Sequence, residues 1–271
     1  SILYDVQHPL LGYPCTNKTR PDYTSTTGGF CLWDYDFRYP GAVSLRYALA
    51  GSRNVPAVKA MLSALPNDKS PGHVDSINKT ISTANAMMGN GDAYRCYKEG
   101  VEDIMNATKA DTTQCYAASA IGDGAYLHLD DHVNGLGTFA RMGNAIPKTY
   151  ILEIIDSSSK PIYMWTQPKG KQVIHQDTAF IVNSMLSDPK ATYLPAGYKF
   201  QNYGGWSISV KTGTTNNNFD GLMTAWSPRF AVGAWVGYHT RNKALTGSGL
   251  ASMSTPLARG FMVGALDGLD T

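Results

Sequence analysis

Three apolar, β-branched and aromatic runs close together near the C-terminus constrain this chain more than any other feature of it. They occupy residues 207–211, 221–226 and 230–238. Asn216-Asn217-Asn218 and Ser227-Pro228-Arg229 separate them, and both triplets are turn chemistry. Connections this short join antiparallel neighbours, so the runs predict an antiparallel meander. Helical periodicity surrounds it. Val43, Leu45, Ala48 and Leu49 recur at helical spacing over 42–51. A second helix is expected after Asn54, with Pro56 in its first turn and Val58, Met61 and Leu62 facing inward. Weaker signals cover 76–88. Val133, Leu136 and Phe139 share a face over 130–142, with Gly143 as the stop. Residues 177–186 predict a helix ended by Pro189. A last helix is expected to start near Thr255-Pro256, with Leu257, Phe261 and Ala265 on one face. Strands near 151–155 and 162–165 flank a Ser157-Ser158-Ser159 turn. Residues 1–41 read as loop with short extended pieces. Helices wrapped around an antiparallel sheet define the α+β class.

At 271 residues the chain is long enough for a sizeable core. Its formal net charge is +2 and it has no dense basic run, so nucleic acid gains no support as a partner. No apolar run approaches the ~18–20 residues that cross a bilayer. The chain begins at Ser1-Ile2-Leu3-Tyr4 with neither a Met nor a signal-peptide pattern, as expected for a piece of something longer. Cys15, Cys31, Cys96 and Cys115 make an even count, which fits disulfides in an oxidising compartment. Three pairings are possible, and short loops favour Cys15–Cys31 with Cys96–Cys115. Four free buried thiols are the alternative. The spacing fits no zinc pattern, His128, His132, His175 and His239 have no ligand spacing, and no metal or cofactor is expected. N-x-T triplets at Asn17, Asn78 and Asn106 matter only in a glycosylating host.

Two short motifs carry chemistry. Lys211-Thr212-Gly213-Thr214-Thr215 follows the first run of the meander. Its ammonium supplies a point charge, its hydroxyls supply directional donors, and Gly213 leaves room for an extended ligand along a strand edge. Those are the parts of a carboxylate site. Ser52-Arg53-Asn54 lies between two expected helices. There the hydroxyl can pass a proton and the amide can hold a peptide group. Taken alone, each has a simpler reading: a lysine beside a turn, and a helix N-cap before Pro56.

Together, in this order, S-x-N and K-T-G change the reading. Gly41-Ala42-Val43-Ser44-Leu45-Arg46-Tyr47-Ala48-Leu49 followed by Ser52-Arg53-Asn54-Val55-Pro56-Ala57-Val58 resembles the S-x-N region of class A penicillin-binding proteins. Leu136-Gly137-Thr138-Phe139-Ala140 with Gly143 and Pro147 is similar to a helix and turn of their transpeptidase domains. Lys211 to Thr215, Asp220, Ser227-Pro228 and Ala234-Trp235-Val236-Gly237 resemble their strand meander, and Pro256 with Phe261-Met262 their closing helix. The resemblance runs from about Gly41 to the C-terminus, with a variable insert at 66–115.

The resemblance implies one transpeptidase domain over residues 1–271, with the family's fold. Its implied activity is D,D-transpeptidation of peptidoglycan stem peptides ending in D-Ala-D-Ala, through a serine acyl-enzyme that β-lactams trap. Ser52 would relay a proton to the leaving amine and Asn54 would hold the substrate amide. Lys211, Thr212 and Thr214 would bind the terminal carboxylate, with Gly213 and Thr215 completing the subsite. The family adds an upstream glycosyltransferase domain and a membrane anchor, on the extracytoplasmic face of the bacterial membrane. One departure stands out. The family's nucleophile belongs to an S-x-x-K motif upstream of S-x-N, and no such motif precedes Ser52. Ser76-Ile77-Asn78-Lys79 and Ser157-Ser158-Ser159-Lys160 both follow it, so the nucleophile is expected before residue 1. A D,D-carboxypeptidase or β-lactamase, and a non-catalytic peptidoglycan-binding module, are the rival readings.

Overall fold

The computed structural model describes residues 1–20, 28–101, 106–215, 218–239, 243–246 and 251–271. Asn216 and Asn217 of the first expected turn lie outside these. In chain order, β1 (Ile2–Asp5) pairs antiparallel with β2 (Gly41–Ser44), and β2 leads directly into α1 (Leu45–Ala50) and α2 (Asn54–Leu62). Then come α3 (Val74–Met88), the short strands β3 (Arg95–Tyr97), β4 (Thr112–Thr113) and β5 (Ala125–Tyr126), and α4 (Leu129–Ala140). Next are β6 (Asn144–Ala145), the hairpin of β7 (Glu153–Ile155) and β8 (Pro161–Met164), β9 (Lys171–Gln172) and α5 (Gln176–Leu186). The chain closes with β10 (Ser209–Thr214), β11 (Asp220–Trp226), β12 (Ala231–Gly237) and α6 (Ala251–Leu266). This is the expected α+β architecture.

The meander is a three-stranded antiparallel sheet in the order β10-β11-β12, in which β10 has no strand partner on its other edge among the described residues. Alternation along the strands gives the sheet two apolar faces. Val210, Met223, Ala225 and Ala234 meet Ala258, Met262 and Leu266 of α6 on one side. Trp226, on the other, packs with Ala50 of α1, Leu136 and Phe139 of α4, and Leu186 of α5. The Phe139 and Trp226 rings stack with centroids 6.1 Å apart. Asn183 of α5 ties this side together: its amide donates to the Phe139 carbonyl at 2.8 Å, and it accepts from Trp226 Nε1 at 2.8 Å and Ser209 Oγ at 3.1 Å. A third cluster, Leu32, Val55, Val58 and Ala117, seats α2 on the N-terminal segment.

Four boundaries differ from the sequence expectation. The helix expected over 42–51 begins only at Leu45, because the backbone of Gly41–Ser44 is committed to β1 and the Ser44 hydroxyl caps the Tyr47 N–H. The K-T-G residues lie within β10, which runs on through Thr214. The closing helix starts at Ala251, so Pro256 sits inside it. A proline there removes a single early hydrogen bond. The stop of α4 falls one residue before the expected Gly143: Met142 takes the left-handed conformation with φ of 53°, its N–H bonded to the Phe139 carbonyl at 3.0 Å, and the Gly143 N–H bonds back to the Thr138 carbonyl at 2.8 Å. Gly135 lets α4 cross close to α3, since a Cβ there would stand 2.8 Å from Met88 Cγ. Disulfides join Cys15 to Cys31 and Cys96 to Cys115, the pairing that short loops favour. Among the described residues, no helix is long and apolar enough to cross a membrane, and no group of three or more His, Cys, Asp or Glu could hold a metal ion.

Candidate active site

Ser52 occupies the tight turn between α1 and α2 with φ of 56°, a left-handed conformation that non-glycine residues seldom adopt. Backbone bonds on either side of it hold the turn: Ser52 N–H to Leu49 O at 3.1 Å and Arg53 N–H to Ala48 O at 2.9 Å. Such conformations persist where the surroundings over-determine them, and they cluster at functional sites.

The surroundings here are an acidic cage around Arg53, the middle residue of S-x-N. Its guanidinium lies 2.7 Å from Asp5, 3.2 Å from Asp34 and 2.9 Å from Asp36, and also donates to the Arg38 carbonyl. Arg53, Asp5 and Asp34 are buried. Asp5 arrives on β1, and Asp34 and Asp36 on the loop before β2. Asp34 also accepts the Asn54 N–H, so the start of α2 is fixed to the same cage. Burial, followed by the neighbouring Asp5 carboxyl, pushes Asp34 well above the usual carboxylate range; Arg53 opposes this only in part.

Lys211 reaches the turn from β10. Its Nζ donates to Ser52 Oγ at 2.7 Å and to the Thr212 carbonyl at 2.8 Å. Burial lowers the Lys211 pKa from 10.5 to about 8, because a low dielectric disfavours the ammonium. Its own carbonyl accepts from Thr224 Oγ1 at 3.1 Å, which anchors β10 to β11.

The remaining site residues divide by what they touch. Asn54, at the start of α2, donates from its amide to the Trp33 carbonyl at 2.8 Å. Thr212 is buried, its hydroxyl bonded to the Tyr193 phenol. Thr214 is exposed at the end of β10. A Cβ on Gly213 would meet Leu222 Cβ at 3.4 Å, an ordinary contact, so packing does not demand glycine there. The Thr215 hydroxyl accepts from the Asp220 N–H at 2.8 Å and donates to its carboxylate at 3.1 Å, so it serves the β10–β11 turn. The structure thus joins Ser52 to Lys211, sets Thr212 and Thr214 along the edge strand, and engages Asn54 and Thr215 elsewhere. Ser187 also has a lysine three residues on, Lys190, and caps the C-terminal end of α5. Of the two S-x-x-K serines named above, Ser76 is buried on α3 with its hydroxyl accepting from the Leu65 N–H. Ser157 is exposed in the β7–β8 turn. Neither adjoins the Ser52–Lys211 pair.

Sequence reasoning missed Asp5, Asp34, Asp36, Tyr35 and Tyr193. The alternation Trp33-Asp34-Tyr35-Asp36 is the signal that could have raised the cage, because acids interleaved with aromatics in a loop need a cation to be buried.

No protein-family model matches the chain. Among curated proteins it is similar to penicillin-binding protein 1A/1B of Bacillus subtilis, 27% identical over 232 residues, which is 78% of this chain and 21% of that protein. The chain thus spans about a fifth of that relative's length. Its fold is that of a solved penicillin-binding protein 1A from Haemophilus influenzae, with a TM-score of 0.69 at 18% identity, covering 100% of this chain and 39% of that one. The PonA1 protein of Mycobacterium tuberculosis, solved in complex with penicillin V, superimposes with a TM-score of 0.65 at 19% identity, covering 91% of this chain and 62% of that one. The curated homologues are class A penicillin-binding proteins, and the fold is that of their transpeptidase domains.

Proposed function

We propose that this chain carries the carboxylate-binding and proton-relay part of a D,D-transpeptidase that cross-links peptidoglycan stem peptides and is inhibited by β-lactams. The observation that carries the reading is the hydrogen bond from Lys211 Nζ to Ser52 Oγ. It links the S-x-N turn to the K-T-G strand, as proton relay beside a carboxylate site requires.

In this reading a nucleophilic serine attacks the carbonyl of the D-Ala–D-Ala amide. We place that serine and its lysine, as the family order of motifs implies, in the part of the relatives' length that this sequence does not span. The C–N bond breaks and the departing D-alanine amine takes a proton through Ser52. An amine of a second stem peptide then attacks the ester and releases the serine. Lys211 polarises the Ser52 hydroxyl and, with Thr212 and Thr214, holds the terminal carboxylate. The Thr214 N–H donates to the oxyanion. Asn54 contributes Oδ1 to the substrate N–H, its amide nitrogen being occupied by Trp33. The Arg53 cage holds Ser52 in its left-handed turn. The domain works on the extracytoplasmic side of the bacterial membrane, where two disulfides persist, in a protein that also carries a glycosyltransferase domain and a membrane anchor.

The test is to incubate the full-length protein with a donor peptide ending in D-Ala-D-Ala and a labelled amine. A labelled cross-linked product that disappears in Ser52→Ala and Lys211→Ala supports the reading. Hydrolysed donor without cross-link indicates a carboxypeptidase. Donor bound but unchanged indicates a non-catalytic peptidoglycan-binding module.

A further inference from the structure

The buried hydroxyl of the K-T-G strand is that of Thr212, and it is already in a hydrogen bond. Its partner is the phenol of Tyr193, on the loop between α5 and β10. Ala191 and Leu194, both buried, anchor that loop on either side of Tyr193: Ala191 packs with Trp226 and Leu186, and Leu194 with the α6 face of the sheet. The Tyr193 ring leans on Tyr35, centroids 4.6 Å apart, and the Tyr35 ring lies 5.8 Å from the Arg53 guanidinium carbon. A continuous path therefore runs from S-x-N through two tyrosines to K-T-G, on the opposite side of β10 from Lys211.

Which oxygen donates decides what Thr212 can do. A hydroxyl has one hydrogen and two lone pairs. If Thr212 donated to Tyr193, its hydrogen would be spent and only lone pairs would face an anion. A phenol is the stronger donor, since it ionises near pH 10 whereas an aliphatic hydroxyl does not titrate in water. Burial raises the Tyr193 pKa further, so the phenol keeps its hydrogen throughout the neutral range. With Tyr193 donating and Thr212 accepting, the arrangement that phenol acidity favours, the Thr212 hydrogen is left available to a ligand at the edge of β10. Successive hydrogen bonds in a chain polarise one another, so a Thr212 hydroxyl fed by a phenol binds an anion more strongly than a lone one.

We infer that Tyr193 is a positioning residue of the carboxylate subsite, orienting and polarising the Thr212 hydroxyl so that the strand prefers a terminal carboxylate over its neutral amide. This rests on the proposed reading of Lys211 to Thr214 as a carboxylate site, and the test separates the two. N-acetyl-D-Ala-D-Ala and its C-terminal amide are titrated into the 271-residue chain by NMR, and the ratio of the two affinities is the readout. A purely structural role for Tyr193 would not move that ratio. Tyr193→Phe keeps the ring on Tyr35 and removes one hydrogen bond, so the preference for the acid is expected to fall roughly five- to tenfold, with affinity for the amide unchanged. Thr212→Val is expected to lower the ratio at least as far, and adding Tyr193→Phe to it should have no further effect. If the ratio collapses in Lys211→Ala but is unchanged in Tyr193→Phe, the role of Tyr193 is overturned and the carboxylate site stands. An effect of Tyr193→Phe that persists in the Thr212→Val background also overturns it, because Tyr193 would then act on the ligand without Thr212. If Lys211→Ala leaves the ratio at its original value, or the chain binds neither compound, the carboxylate site itself falls.

Discussion

Lys211 Nζ stands 2.7 Å from Ser52 Oγ across 159 residues of sequence. The contact exists because β10 is an edge strand whose lysine points toward α1, and because the turn after α1 is held in a left-handed conformation that presents the serine to it. Among the described residues the part-buried ammonium has one other acceptor, the Thr212 carbonyl. Ser52→Ala is therefore expected to leave Lys211 under-solvated and to lower its pKa below the present value of about 8. Titration of the lysine ε-carbon signals by NMR would detect this; an unchanged Lys211 pKa would mean that the hydroxyl contributes nothing to the charge.

The lowered Lys211 pKa fixes opposite signs for stability and for binding. Between about 8 and the ordinary value of 10.5 the unfolded chain binds more protons than the folded one. Stability from this group therefore rises with pH across that window. Affinity for a carboxylate falls over the same window, since the ammonium is being lost. Lys211→Met should flatten both slopes, as read by urea denaturation and by acetyl-dipeptide titration at pH 7, 9 and 10.

Arg53 is the cation facing three acidic side chains, two of them fully buried. Arg53→Ala should destabilise the chain by on the order of 3–5 kcal/mol, as removal of one member of a buried ion pair does. Asp36→Ala should cost much less, because the Asp36 side chain is 31% exposed and water can replace it. Equal losses in urea denaturation would mean that the cage is not what holds this turn.

The raised Asp34 pKa gives the cage a pH dependence. The folded chain keeps a proton on Asp34 that the unfolded chain loses, so this stabilisation is fully present below the ordinary carboxylate pKa of 3.8. It is lost as pH rises through about 7. Asp34→Asn should remove that slope between pH 4 and 7, measured as the pH dependence of the urea midpoint relative to the parent chain.

Local pattern made much of this fold legible. Alternation and turn residues marked the meander, and Gly143 and Pro189 marked helix ends to within a few residues. What was not legible depended on partners distant in sequence. Gly41–Ser44 has helical spacing on paper, but Ile2–Asp5 captures it as a strand. Pro256 reads as a helix start, yet the helix begins at Ala251, with Ser254 and Thr255 fully buried on the turn before the proline. In the site, Ser52 and Lys211 were readable because their motifs carry their own chemistry. Asp5, Asp34 and Tyr193 were not, because each acquires its role only through a neighbour that the fold delivers: Arg53 for the acids, Thr212 for the phenol.

Where an acyl-D-Ala-D-Ala carboxylate binds is measured most directly by a crystal structure of the 271-residue chain soaked with N-acetyl-D-Ala-D-Ala. The predicted result is a carboxylate against the Thr212 and Thr214 hydroxyls, within reach of the Lys211 ammonium, with the dipeptide extended along the edge of β10 and no bond to any serine. An ester on Ser52 would contradict the relay assigned to it, and a dipeptide seated away from β10 would contradict the site.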